Sequence, residues 1–269
     1  MLGNNANNQF MNIKIIGVNT ADDGELSGGL AAINYMLKKN LPGLNYLAID
    51  RQDRYNLVAC NAAHKFRLLG MADERALIRS LRGTDLIFVI ADEVWENIKT
   101  VATTAHCAKK AGVATILIAG GNFQDAEDEI IFDAVVKLPS ENFDSEAAKI
   151  VENFIESMTL TGYPKLDLKT LADFVKDSAA NVGYGEAKYS VVRAAKRAIE
   201  HVESSTENFQ ATKKILFNVT APKEKFPLVS AQKISNLLKD HAPDAEFLFG
   251  YSVDDWLVRK VKFLLLAAQ

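Results

Sequence analysis

The residues with the greatest scope for chemistry in this 269-residue chain sit in four stretches that each follow a short apolar run. The first, residues 19–29, carries Gly24, Gly28 and Gly29 and opens into a helical pattern. A glycine-rich turn at a helix N-terminus can cradle phosphate, because backbone N–H groups and the helix dipole converge there. The same stretch carries Asp22, Asp23 and Glu25, which repel a polyphosphate unless a divalent cation intervenes. Ser27 is placed to cap the helix, and a capped surface turn explains the stretch more simply. The second, 50–56, begins at Asp50, 21 residues after Gly29. An acidic ribose contact lies at about that distance in dinucleotide-binding units, but the glycines here do not spell GxGxxG, and an Asp ending a strand is commonly a turn residue. The third, 91–99, has no glycine: Asp92 and Asn97 are candidate helix caps and Trp95 a packing anchor. The fourth, 119–126, places Gly120 and Gly121 ahead of Asp125, Glu127, Asp128 and Glu129. Clustered acids can hold a divalent ion, yet a solvated, acidic helix start suffices.

Other reactive side chains are scattered. His64, His106, His201 and His241 lack metal-ligand spacing. His106 and Cys107 adjoin on a helical pattern and so point apart, which argues against a nucleophilic pair. Cys60 and Cys107 give no disulfide framework. With 31 Lys and Arg against 34 Asp and Glu, the net charge of −3 argues against general nucleic-acid binding. A 48 % hydrophobic content supports ample core. No apolar run reaches the roughly 18 residues of a membrane span. MLGNNANNQF has neither the basic nor the apolar region of a signal peptide, which predicts a cytoplasmic protein.

Such stretches need a scaffold, and the pattern supplies one. Apolar runs at 13–18, 46–49, 86–91, 114–119 and 134–138 predict buried parallel strands, alternating with helices over 29–39, 74–81 and 96–110. A long helix starts near Asp144 and ends by Gly162 and Pro164. Beyond it, helices over 168–177, 186–202 and 230–240 accompany strands over 213–219, 246–252 and 260–267, the last two joined by a hairpin-like link. The expected fold is α/β: a Rossmann-like parallel-sheet domain joined by a central helix to a smaller α+β domain. The expected divisions are a flexible tail 1–11, the parallel-sheet domain 12–143, the helix 144–161 and an α+β domain 162–269.

The wording of several segments, in order, resembles the bacterial tubulin homologue FtsZ. IKIIGV and GGLAAINYMLKKNLPGLNYLAID resemble the family's first strand, helix and second strand; LRGTDLIFVIA resembles the strand before its tubulin motif. GYPKLDLKT resembles the loop GxxNxDxxD after the central helix, and GYGEAKYSVVRAAKRAI the segment MGxG…RAxxAAxxAI. ILFNVTAP, PDAEFLFGYSVDD and the final strand resemble the rest of the C-terminal domain, so the resemblance spans about residues 12–269. It implies that the domain 12–143 is of nucleotide-binding fold and that Gly24, Gly28, Gly29 and Asp144 are remnants of a nucleotide site. Asp167 is the remnant of a catalytic loop that acts on a neighbouring subunit's nucleotide, while Lys165 and Thr170 replace that loop's Asn and second Asp. The family's GGGTGTG phosphate loop falls on Asp92–Thr100, where every glycine is gone, and the loop near 70–73 is shortened. Asp144 also reads as a plain helix N-cap.

The expectation is an FtsZ-like cytoskeletal or cell-division protein without GTPase activity, acting by association with copies of itself or with FtsZ-family subunits. No cofactor or metal is expected, nor nucleic acid, direct membrane insertion or a terminal adaptor-binding peptide. The alternative is a divergent polymerising GTPase using GTP with Mg²⁺; a Rossmann-like dinucleotide enzyme using Asp50 is the third reading.

Overall fold

A computed structural model describes residues 12–18, 28–39, 44–51, 54–92, 95–120, 132–138, 141–175, 180–205, 208–223 and 228–268, without the side chains of 54–56, 95–97, 168, 172, 175, 205, 228 and 229. The chain opens with β1 (Ile13–Val18), α1 (Gly28–Lys39), β2 (Leu44–Asp50), α2 (Arg54–Ala59), β3 (His64–Arg67), α3 (Met71–Leu81), β4 (Leu86–Ala91), α4 (Trp95–Ala111), β5 (Ala114–Gly120) and β6 (Ala134–Leu138). α5 (Phe143–Thr159) and α6 (Leu168–Val175) follow. Then come β7 (Ala180–Lys188), α7 (Val191–Ser205), β8 (Lys214–Ala221), α8 (Leu228–His241), β9 (Glu246–Val253) and β10 (Lys260–Ala268).

Among the described residues the strands form one sheet in the order β3-β2-β1-β4-β5-β6-β7-β10-β8-β9. β1 to β6 are parallel, and β4 and β5 near the centre are apolar and buried on both faces, as expected of a parallel sheet covered by helices. Ile13 and Ile15 point into the core under α1, α2 and α5, while Ile16 and Val18 point into the core under α3 and α4. Among the described residues two register pairs join β6 to β7, Ala134 with Ala180 and Val135 with Asn181. β10 is antiparallel to both β7 and β8, and β9 parallel to β8.

Three expectations change. The stretch read as loop between β2 and α3 contains α2 and β3; HKFR is a short polar edge strand whose residues stay partly exposed, so it has no apolar run to betray it. Residues 186–188 end a strand rather than start a helix. Alternate burial along β7 sets one face against α7, and its glycines permit the contact: a Cβ on Gly185 would lie 2.0 Å from the Ala194 carbonyl oxygen, and one on Gly183 2.1 Å from that of Ala198. Finally, β9 and β10 are no hairpin, since β8 lies between them.

α5 is the beam across both parts of the sheet. One side is apolar: Ile150, Val151, Phe154 and Met158 are buried, with the Phe154 ring edge-on to Phe88 at 5.3 Å between centroids. The other side is polar. Lys262 Nζ of β10 donates to both carboxylate oxygens of Glu156, at 2.7 and 2.8 Å. Ser252 on β9 donates to the Ser157 carbonyl oxygen at 3.5 Å and to Asn218 Oδ1 at 3.3 Å.

Gly185→Ala should lower stability by about 2–4 kcal/mol in urea unfolding, because backbone must move, whereas Gly70→Ser, with open space around it, should change it by under about 0.5 kcal/mol. Burial holds the Glu156 carboxyl above its ordinary range, against the pull of Lys262. Lys262→Met therefore should cost about 3 kcal/mol at neutral pH. An acid with a raised folded pKa destabilises once ionised, so this deficit should shrink as pH falls through the Glu156 range.

Candidate functional site

The strand order reverses its winding at the neighbouring strands β1 and β4. In open parallel sheets the crevice beyond the C-terminal ends of such strands is where ligands bind. Here that crevice is bounded by the start of α1, the residue after β4 and the end of β5.

The first turn of α1 rests directly on the sheet. A Cβ on Gly29 would lie 1.9 Å from the Ile90 carbonyl oxygen, and one on Gly17 2.4 Å from that of Gly29. Gly28 takes φ +53°, a left-handed conformation that a side chain resists. Its missing Cβ position is 2.5 Å from the Asp92 Oδ1 and 2.6 Å from Oδ2. The positive end of α1 thus already has a carboxylate against it. Beside it, the Phe143 ring lies over Gly120, 3.0 Å from where a Cβ would stand, and the Asp92 Cα is 3.3 Å from the same point. Phe143 is buried.

Of the sequence-derived candidates, Gly28 and Gly29 stand in this crevice wall. Gly24, with Asp22, Asp23, Glu25, Ser27, Gly121, Asp125, Glu127, Asp128 and Glu129, lies outside the described residues. Asp50 is 4 % exposed, shut into the β2–β3 edge where Arg67 is its register partner. Asp144 is not the N-cap: Asn142 holds that position with φ 57°, and Asp144, in the first turn, accepts the Ser145 N–H at 2.9 Å. Asx side chains tolerate the left-handed region, which is why Asn142 takes the turn.

Asp167 lies beyond the other end of α5. A helix of 17 residues spans about 25 Å, so the two ends of the beam are well apart. Asp167 Oδ1 accepts the Thr170 N–H at 2.7 Å and caps α6; that bond, then the Thr170 hydroxyl, holds its carboxyl below the ordinary range. Its loop is pinned to β9: Val253 N–H donates to Thr161 O at 2.7 Å and Tyr251 N–H to Pro164 O at 2.8 Å. Gly162 permits this, since a Cβ there would be 1.6 Å from Tyr251 O. Lys165 is exposed.

The remaining candidates do not converge. His106 is exposed while its neighbour Cys107 on α4 is buried, its thiol pushed up to about 11 by burial and then by Glu74. Burial also raises the Cys60 thiol. Among the described residues no group of three His, Cys, Asp or Glu is placed to hold a metal, and no helix is long and apolar enough to cross a membrane. Sequence reasoning placed the stretch from Asp92 at the crevice and read Asp92 as a cap, but did not foresee its contact with Gly28, and it did not bring Phe143 there. The loss of glycine at the position of Asp92 was the available signal; for Phe143 there was none.

Comparison with solved structures decides the fold. A Trp-to-Tyr variant of FtsZ from M. jannaschii superposes with a TM-score of 0.71 at 16 % identity, covering 96 % of this chain and 90 % of that one. An empty FtsZ dimer from the same organism gives 0.69 at 17 %, covering 96 % and 88 %. The fold is the FtsZ/tubulin fold. CetZ from Methanosaeta thermophila gives 0.67 at 12 % identity, covering 96 % of this chain and 86 % of that one. No protein-family model matches the sequence, and no curated protein matches it. The FtsZ-like architecture is therefore kept while the crevice wall carries a carboxylate at α1.

A double-mutant cycle should expose that contact. Gly28→Ala should cost about 2–3 kcal/mol in chemical unfolding, part from the positive φ and part from the Asp92 carboxylate. In an Asp92→Ala background the cost should fall by about 1 kcal/mol, leaving the backbone part.

Proposed function

We propose that this chain is a nucleotide-independent member of the FtsZ/tubulin fold group that works by associating with other subunits, copies of itself or FtsZ-family chains, as a cytoskeletal element. The observation that carries the reading is the Asp92 carboxylate packed on Gly28 at the N-terminus of α1. A phosphate bound there would meet a negative charge at about 4 Å, and at an effective dielectric near 20 the repulsion is about 4 kcal/mol, roughly a thousandfold in affinity. Asp167 is engaged in capping α6, and Thr170 cannot serve as a second carboxylate. Both points support loss of turnover rather than a rearranged active site.

The two ends of α5 supply the geometry for association. The crevice end and the loop end face different directions along the beam, so a contact between them joins unlike surfaces and can propagate head to tail. Tyr163, 90 % exposed in the loop pinned by Gly162, is the kind of rigid aromatic on which such contacts centre.

Equilibrium titration with a fluorescent GTP analogue, with and without Mg²⁺, tests the reading. The expected dissociation constant is weaker than about 100 µM in both conditions, given the repulsion above. Submicromolar binding that needs Mg²⁺ would establish the divergent GTPase instead. Sedimentation of the nucleotide-free protein should show concentration-dependent association, weakened by Tyr163→Ala by at least about 2 kcal/mol.

A further inference from the structure

The turn between β9 and β10 is built outward. Trp256 is 93 % exposed and Val258 68 %. Val258 has φ 35° and ψ −52°, with the Arg259 N–H donating to the Leu257 carbonyl oxygen across it. That is a γ-turn of the positive-φ kind, rare and strained, and more so for a β-branched residue. The turn is nevertheless anchored at both ends. Asp254 Oδ1 accepts the Trp256 N–H at 3.0 Å, Asp255 Oδ1 accepts the Lys223 N–H at 3.1 Å, and Tyr189 N–H donates to Arg259 O at 2.9 Å. The fold holds an apolar tip in water at the expense of backbone strain, a combination associated with function.

The surroundings of the tip are basic. Arg259 lies over the Tyr189 ring, 5.9 Å from its centre, and Lys260 is in register with Lys188. Arg197 reaches back from α7 to the Glu186 carbonyl oxygen, and Arg193 and Lys196 are exposed on the same outward face of that helix. Glu186 and Lys260 pair at 3.5 Å and offset each other, and Asp254 and Asp255 hold the turn through backbone N–H groups while keeping their charge, so the excess of positive charge comes from Lys188, Arg193, Lys196, Arg197 and Arg259. Glu200 lies about one turn further along α7.

We propose that this face is a peripheral docking site for an anionic lipid bilayer, with Trp256 and Val258 entering the headgroup region and the surrounding cations resting on lipid phosphates. A convex tip can be buried only by a phase that deforms around it or by a matching pocket. A bilayer surface does the first, takes Trp at the interface, and answers the charge. Two copies meeting through this face would set its cations against each other. A nucleic acid would use the indole by stacking but leave Val258 without a partner. The contact is peripheral, and it stands independently of the assembly reading.

The test uses the whole chain in a Trp95→Phe background, which leaves Trp256 as its one tryptophan. The protein is sedimented with vesicles of phosphatidylcholine alone or with about 30 % phosphatidylglycerol. The expected result is co-sedimentation with the anionic vesicles only, a blue-shifted Trp256 emission, and loss of binding at roughly 0.5 M salt. Trp256→Ala, and separately Arg193→Glu with Lys196→Glu, should each weaken binding at least about tenfold with unchanged circular dichroism. Absence of binding to the anionic vesicles, or equal binding by wild type and Trp256→Ala, overturns the proposal. So does a lipid-free oligomer dissolved by Trp256→Ala, which assigns the tip to a second copy, or binding to single-stranded DNA lost in the same variant.

Discussion

How closely the first turn of α1 rests on β1 and β4 governs the rest of the crevice. Gly17 and Gly29 allow backbone to touch backbone, and Gly28 turns the chain through a left-handed conformation to begin the helix. That approach aims the positive end of α1 at the strand ends, where an anion is favoured. In this chain the anion is the side chain of Asp92, fixed there by the strand that precedes it. A tethered carboxylate does not give up translational freedom on reaching such an end. The same geometry that would suit a phosphate is thereby satisfied within the fold.

α5 carries this constraint to the far end of the molecule. At one end Phe143 closes over Gly120; at the other Gly162 lets the following loop lie on β9. Between them, the apolar face packs against β4 and α1, and the polar face meets β8, β9 and β10 through Glu156–Lys262 and the Ser157, Ser252 and Asn218 hydrogen bonds. A buried ion pair adds little net stability, but removing one partner is costly, so it fixes how the helix seats on the strands. The beam therefore links the crevice and the loop carrying Tyr163 and Asp167 as two ends of one rigid element.

Much of this was legible in the residues. Runs such as LIFVIA and ATILIAG, short and bounded by turn residues, read as strands buried on both faces, and the helix from 143 to 159 announces itself by its apolar stripe. The failures have particular causes. HKFR sits at a sheet edge, where charge protects the strand and hides it from an apolar-run reading. The alternation in ANVGYGEAK was obscured because Gly183 and Gly185 supply no side chain to count, although they exist to admit α7. β9 and β10 look like a hairpin in one dimension; only the sheet order shows β8 between them. At the crevice, sequence marked the missing glycines but not the contact that replaces them, because the Asp92–Gly28 approach joins residues 64 positions apart. Trp256 gave no signal, since exposure is a property of the fold.

We propose that the crevice end of this fold accommodates its own carboxylate in place of a nucleotide phosphate. The nucleotide content of the protein purified without added nucleotide, released by acid denaturation and quantified by ion-exchange chromatography, tests this directly. Guanine nucleotide should be recovered below roughly one molecule per ten chains, as expected for an affinity reduced about a thousandfold. Guanine nucleotide recovered at close to one per chain would contradict it.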